Sequence, residues 1–328
     1  MNRLNLTLAC GDYDRTAPLA TGQVQPEGID LNVINLPVEE IFYRNAMYQD
    51  FAVAEMSLSS YTLIMERGRE YVAIPVFPSR SFRHNGVYVN AQSGIEKPSD
   101  LVGRVVGAPE MQLTAVVWIR GILAEHYGVQ ADSVSYRTGG LYAPGRVEKI
   151  AVAPDGVDIS AIPADRTLDE MLVSGEVDAL YTPRVPPSYT RGDAAVRRLW
   201  EDCGAEELAY FERTGIFPIM HVIAIRRDVY EANRWIAQSL LKAFTKAKQI
   251  VVERSEETAA LASMLPWSYL AARQARETLG NDYWLYGLTG NGGTLETFLR
   301  YSKEQGLITR RWAPEELFAP ETLSSFVI

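Results

Sequence analysis

Metal-ligating and disulfide-forming residues are scarce in this 328-residue chain, which holds two cysteines, Cys10 and Cys203, and three histidines, His84, His126 and His221. Two cysteines cannot build a disulfide framework, and free buried thiols in a reducing cytoplasm are the expectation. The histidines share no short spacing, and HxH, HExxH and CxxC patterns are absent, so no dedicated metal site is expected. No run of Lys or Arg approaches a nucleic-acid patch. With a net charge of −9 and a pI near 5.1, the chain is a poor match for nucleic acid or an anionic membrane. No stretch reaches the ~18 consecutive apolar residues of a membrane span. The N-terminus lacks the unbroken apolar core of a secretory signal and alternates as a first strand from Met1 to Cys10, which favours the cytoplasm. A secreted chain with its signal removed reads the same way.

What is present is an ordinary soluble composition, 47 % hydrophobic and 22 % charged, long enough for roughly two domains with separate cores. Strand patterns recur at 29–36, 51–54, 71–76, 86–90, 104–108, 177–181 and 219–226. Helical spacing fills 38–48, with Ile41, Phe42 and Met47 facing inward, and then 58–67, 109–127, 168–174, 230–253, 269–279 and 295–304. Strands alternating with helices indicate an α/β architecture with mostly parallel sheets. The turn-rich stretch 91–98 reads as one crossing between units and the strand 219–226 as the return. The expected lobes are therefore 1–90 plus 219–328, and 91–218, with a ligand cleft between two mixed sheets.

One design occurs twice. In Phe51-Ala-Val-Ala-Glu-Met-Ser-Leu-Ser-Ser-Tyr-Thr62 a strand passes through a polar turn into a helix, and Val105–Trp118 repeats it. Ser at a helix start caps a free backbone N–H, and such a start is also an anion site. Ser59 and Ser60 on one side, and Gln112, Leu113 and Thr114 on the other, are then candidate ligand donors. Plain capping is the simpler alternative. Arg15, Arg80, Arg83 and Arg184 all lie in turns after strands, where open α/β sheets bind ligands, and a guanidinium suits a carboxylate. Each taken alone also fits a surface arginine. His221 lies within an apolar strand at the return crossing, either as an acid/base group or as a hydrogen-bonded core histidine. His84, in Ser79-Arg-Ser-Phe-Arg-His-Asn85, is the second acid/base candidate, or part of a solvated loop. His126, at a helix end, fits a surface histidine. The Gly287–Gly293 run lacks the Lys-Ser/Thr ending of a phosphate loop and reads as a helix-start turn.

The segments RVVGAPEMQLTA (104–115) and PIMHVIAIRRD (218–228), the turn at 51–60 and the tail WAPEELF (312–318) resemble the 4,5-dihydroxyphthalate decarboxylases. That family is similar in fold to type II periplasmic solute-binding proteins, and the resemblance covers nearly the whole chain. It implies a cytoplasmic carboxy-lyase that converts 4,5-dihydroxyphthalate to protocatechuate and CO2 without an organic cofactor. An acid, His221 or His84, would protonate the ring carbon while arginines and helix starts hold the carboxylate. The alternatives are a transporter-type solute receptor for a small organic acid and a biosynthetic enzyme of the same fold. Trp267, Tyr283, Trp284 and Tyr286 suit a homo-oligomer interface or core packing equally well.

Overall fold

The computed structural model describes residues 3–323 apart from 69, 147, 149, 151 and 153; Met1 and Asn2, from which the first strand was expected to run, lie outside it. The chain begins with β1 (Leu4–Cys10), α1 (Ala17–Ala20), β2 (Ile29–Asn35), α2 (Val38–Tyr48), β3 (Val53–Ser57), α3 (Leu58–Arg67) and β4 (Tyr71–Ile74). There follow β5 (Val87–Asn90), β6 (Val105–Ala108), α4 (Thr114–Tyr127), β7 (Ser135–Thr138), β8 (Ile159–Ala161), α5 (Leu168–Ser174), β9 (Ala179–Tyr181), α6 (Pro187–Thr190), β10 (Val196–Arg198) and α7 (Cys203–Thr214). The chain ends with β11 (His221–Arg226), α8 (Arg227–Ala232), α9 (Trp235–Arg254), α10 (Ser268–Leu279) and α11 (Gly292–Glu304). Among the described residues no helix is long and apolar enough to cross a membrane.

The strands form two mixed sheets, ordered β2-β1-β3-β11-β4 and β10-β5-β9-β6-β7-β8. In each, one strand next to the edge runs against both of its neighbours: β11 against β3 and β4, and β5 against β9 and β10. This is a two-lobed α/β fold. One boundary differs from expectation. β5 was assigned to the first lobe, yet it is hydrogen-bonded within the second sheet, so the outgoing crossing lies before residue 87 rather than at 91–98. A short buried strand such as VYVN carries no mark of which sheet it joins; only its partners decide.

The two crossings run side by side. Arg80 bridges Ile219 in antiparallel fashion, the Ser81 N–H donates to the Pro218 carbonyl at 3.1 Å, and the Met220 N–H to that of Ser79 at 2.9 Å. α4 packs on both lobes: Val117, Trp118 and Ile122 join the first core, and Val116, Ile119 and Leu123 the second. The Trp118 indole N–H fixes the helix to the return crossing by donating to the Ile219 carbonyl at 2.9 Å.

The helix expected over 230–253 is broken at Asn233 into α8 and α9. Met47, expected to face inward, is exposed, as is Trp267, whereas Tyr286 is buried. The glycine run ends as anticipated in a helix start, with Asn291 at the N-cap of α11.

Where α4 meets α11, Gly121 makes room for Tyr301; a Cβ at 121 would lie 2.0 Å from the ring's Cδ2. Replacing a mid-helix glycine by alanine ordinarily gains up to about 1 kcal/mol, but forced overpacking costs about 1–3 kcal/mol. We expect the second effect to win. Gly121→Ala should lower the urea midpoint, and an unchanged or raised midpoint would refute this close approach.

Candidate active site

The antiparallel pairing of β11 with β3 places His221 opposite Ser57, and Glu55, two residues back on β3, shares that face. His221 therefore reaches Glu55 along the diagonal, with Nδ1 2.6 Å from Oε1. Glu55 is fully buried. It also accepts the Tyr13 hydroxyl at 2.8 Å, the Gly11 N–H at 2.8 Å and the Cys10 thiol at 3.4 Å. Burial alone would push this carboxyl upward, but the hydrogen bond and charge of His221, with the Gly11 and Tyr13 donors, hold it below the usual value. Burial and the neighbouring Glu55 charge push the Tyr13 hydroxyl and Cys10 thiol upward, so both stay protonated as donors. With Glu55 ionised, His221 donates through Nδ1, and Nε2 lies outside that pair. The ring packs edge-on against Phe42, with centroids 4.9 Å apart.

His221 opens on a cleft of about 710 Å3 between the lobes. Its first-lobe wall includes Tyr13, Phe42 and Ser57, and its second-lobe wall includes Leu113, Thr114, Ala115 and the loop 140–146. No side chain caps the start of α4, so its first-turn N–H groups face the requirement for an acceptor where Leu113–Ala115 line the cleft. Arg83, Arg146 and Arg184 also line it. Arg146 is paired with Glu110. Arg184 is paired across the cleft with Glu39 of α2, with Nε 2.8 Å from Oε1. Arg83 is buried, its Nε donating to the Met220 sulfur at 3.0 Å. Burial pushes its guanidinium down to about 10, against the opposing pull of Glu207, which leaves it charged at neutral pH. Among the described residues no group of His, Cys, Asp and Glu side chains is arranged to hold a metal ion.

Of the residues singled out in the sequence, the cleft gathers His221, Arg83, Arg184, Leu113 and Thr114. The serine and glutamine candidates are placed differently. Ser60 Oγ donates to Gln112 Oε1 at 3.0 Å, Gln112 Nε2 donates to Glu110 at 2.7 Å, and the Ser59 N–H donates to Thr114 Oγ1 at 3.0 Å. Ser59, Ser60 and Gln112 are buried and tie the two helix starts together instead of lining the cleft. Arg80 is also spent on structure, donating to the carbonyls of Phe217 and Leu285 and to Asn291. Arg15 lies outside the lining, between the rings of Tyr13 and Trp284, and donates to the Pro78 carbonyl at 2.6 Å. His84 is not in the cleft. It is buried against Trp200, Tyr210 and Tyr127, and neither ring nitrogen has a protein partner. Glu55, Tyr13, Glu39 and Arg146 were missed. Glu55 carried a legible signal, since a lone carboxylate in the apolar run FAVAEM must be buried with donors around it.

No family model matches the chain. A protein of Comamonas testosteroni named 4,5-dihydroxyphthalate decarboxylase is 41 % identical over 330 residues, covering all of both chains. A Pseudomonas putida protein of the same name is 44 % identical over 204 residues, 62 % of this chain and 79 % of the relative. Among solved structures, the periplasmic aliphatic sulphonate binding protein SsuA from Escherichia coli superposes with a TM-score of 0.54 at 12 % identity, over 98 % of this chain and 99 % of that one. At that identity the likeness is one of fold, and it makes the two-lobed architecture periplasmic-binding-protein-like.

The buried His84 gives stability a measurable pH dependence. Burial pushes its imidazole down to about 4 from 6.5, with Glu206 opposing and Arg213 and His126 assisting. Between those values the unfolded chain binds a proton that the folded chain refuses, so stability rises with pH across the window and is lost as pH falls through it. The difference is worth about 3 kcal/mol. Glu55, depressed in the fold, acts in the same direction at lower pH. We expect His84→Phe to flatten the urea-unfolding free energy between pH 4 and 6.5 relative to wild type. An unchanged slope would show that His84 does not titrate this way.

Proposed function

The chain belongs to the 4,5-dihydroxyphthalate decarboxylase family, and from that premise we propose that it removes one carboxylate of 4,5-dihydroxyphthalate with His221 as the proton donor. The products are 3,4-dihydroxybenzoate (protocatechuate) and CO2. The observation that supports the assignment of roles is the His221–Glu55 pair at the cleft wall.

The reaction replaces a C–C bond to carboxylate by a C–H bond and consumes one proton per turnover. Each carboxylate of the substrate lies para to a hydroxyl. Electron density from that oxygen, greatest when it is deprotonated, moves onto the ring carbon bearing the carboxylate. His221 Nε2 then delivers a proton to that carbon, and loss of CO2 returns the electron pair to the ring. Glu55 accepts Nδ1–H and fixes the ring's orientation, and it acts only through His221. The uncapped N–H groups of α4 offer donors to the electron-rich oxygen, as in other preorganised oxyanion sites. His221 is 16 % exposed through its side chain, which leaves a route for reprotonation from water.

A cytoplasmic setting belongs to the same proposal and is supported by Cys10 and Cys203 standing as free buried thiols. Self-association is supported by the exposed apolar residues Met264, Leu265 and Trp267.

Purified protein given 4,5-dihydroxyphthalate should release CO2 and 3,4-dihydroxybenzoate in equal amounts. Tight binding without release would favour a solute receptor instead. His221→Asn should lower kcat by about 10²–10⁴-fold, the range for a lost general acid, with KM within a few-fold. Unchanged turnover would remove His221 from the reaction.

A further inference from the structure

Three arginines line the cleft, and two already hold a carboxylate of the protein: Arg146 that of Glu110 and Arg184 that of Glu39. Among the described residues Arg83 has no carboxylate within 4.0 Å, and its one hydrogen bond is the weak one from Nε to the thioether of Met220. Glu207, whose charge also reaches it, accepts the Asn85 N–H at 3.1 Å. Arg83 is only 8 % exposed. A buried guanidinium without a counter-charge is costly, and a ligand carboxylate would satisfy it in a two-pronged arrangement. Its contact with Met220 places it beside the residue that precedes His221.

The product, 3,4-dihydroxybenzoate, still carries a carboxylate para to a hydroxyl. Its electronic activation is the same as the substrate's, so position rather than reactivity must prevent a second loss of CO2. Resting on the decarboxylase reading above, we propose that Arg83 is the residue that decides which carboxylate stays, and so limits the reaction to one CO2. With the retained carboxylate on Arg83, the adjacent ring carbon is the one that meets His221. In the product the remaining carboxylate keeps its place on Arg83, and the carbon at His221 is C6, which now bears hydrogen. Delivery of a proton there, followed by loss of the original one to the same imidazole, leaves the product unchanged. Such delivery is visible only as isotope exchange.

The test incubates the protein with 3,4-dihydroxybenzoate in D2O and follows the ring protons by NMR. Wild type should place deuterium at C6 alone and release neither CO2 nor catechol. Catechol formation by wild type, or exchange spread over other ring positions, would overturn the assignment. Arg83→Met should weaken binding of 3,4-dihydroxybenzoate by roughly 10- to 100-fold, the scale of a lost charge-assisted hydrogen bond, and abolish the preference for C6. Arg83→Lys should recover part of both. Equal binding by a folded Arg83→Met protein would also overturn it. Should that variant fail to fold, wild type itself decides. Phthalate, which has carboxylates but no hydroxyls, should compete at least tenfold better than catechol, which has hydroxyls but no carboxylate, and parity would count against Arg83. CO2 release from 4,5-dihydroxyphthalate is scored separately. Its absence would defeat the decarboxylase reading while the binding comparison still judges Arg83.

Discussion

A carboxylate closed off from water has to be surrounded by donors, and Glu55 sets that requirement for the whole cleft. Its four donors come from separate places: Gly11 and Cys10 at the end of β1, Tyr13 in the turn after it, and His221 at the start of β11. Losing any one would leave a buried charge short of a partner, at a cost of about 1–3 kcal/mol or more. The turn after β1, the return crossing and the strand beneath them are thus held in one arrangement, and that arrangement presents His221 to the cleft. His221 is held in place because the carboxylate behind it cannot be left unsatisfied.

The rest of the cleft follows a similar economy of charge. A chain with a net charge of −9 must bind a dianion, so local cations have to outweigh the distant field. Among the described residues, two of the three arginines in the lining are neutralised by Glu39 and Glu110, and this leaves one buried positive site at Arg83. A single free cation suits a reaction in which one carboxylate must be held and its neighbour must leave. Firm pairing of both carboxylates would stabilise the ground state against the step that the site performs.

Much of the architecture was legible in the sequence because periodicity reports burial. The helices at 38–48, 58–67 and 168–174 end where the apolar spacing and the following residues require. The resemblance carried the fold and the reaction further than periodicity could. What stayed hidden depended on partners distant in sequence. VYVN reads as a buried strand, but no local pattern says that β9 and β10 are its neighbours. Ser60 and Gln112 have the chemistry of ligand donors, yet they find each other across the two helix starts, and the Ser59 N–H finds Thr114 there. His84 was drawn into the candidate set by its neighbours Arg80 and Arg83. The aromatic box formed with Trp200 and Tyr210 arises only when α7 folds over it. Glu55 was visible as an anomaly in an apolar run, and pairing β3 with β11 turns that anomaly into a site.

In the proposed reaction the Glu55 carboxylate holds His221 for delivery of the proton. The most direct measurement is kcat for Glu55→Gln, which keeps the shape and hydrogen-bonding reach of the side chain but removes the charge. Turnover of 4,5-dihydroxyphthalate should fall by about 10²-fold or more, with KM within a few-fold and the folded state retained at neutral pH. A folded Glu55→Gln protein turning over at the wild-type rate would contradict it.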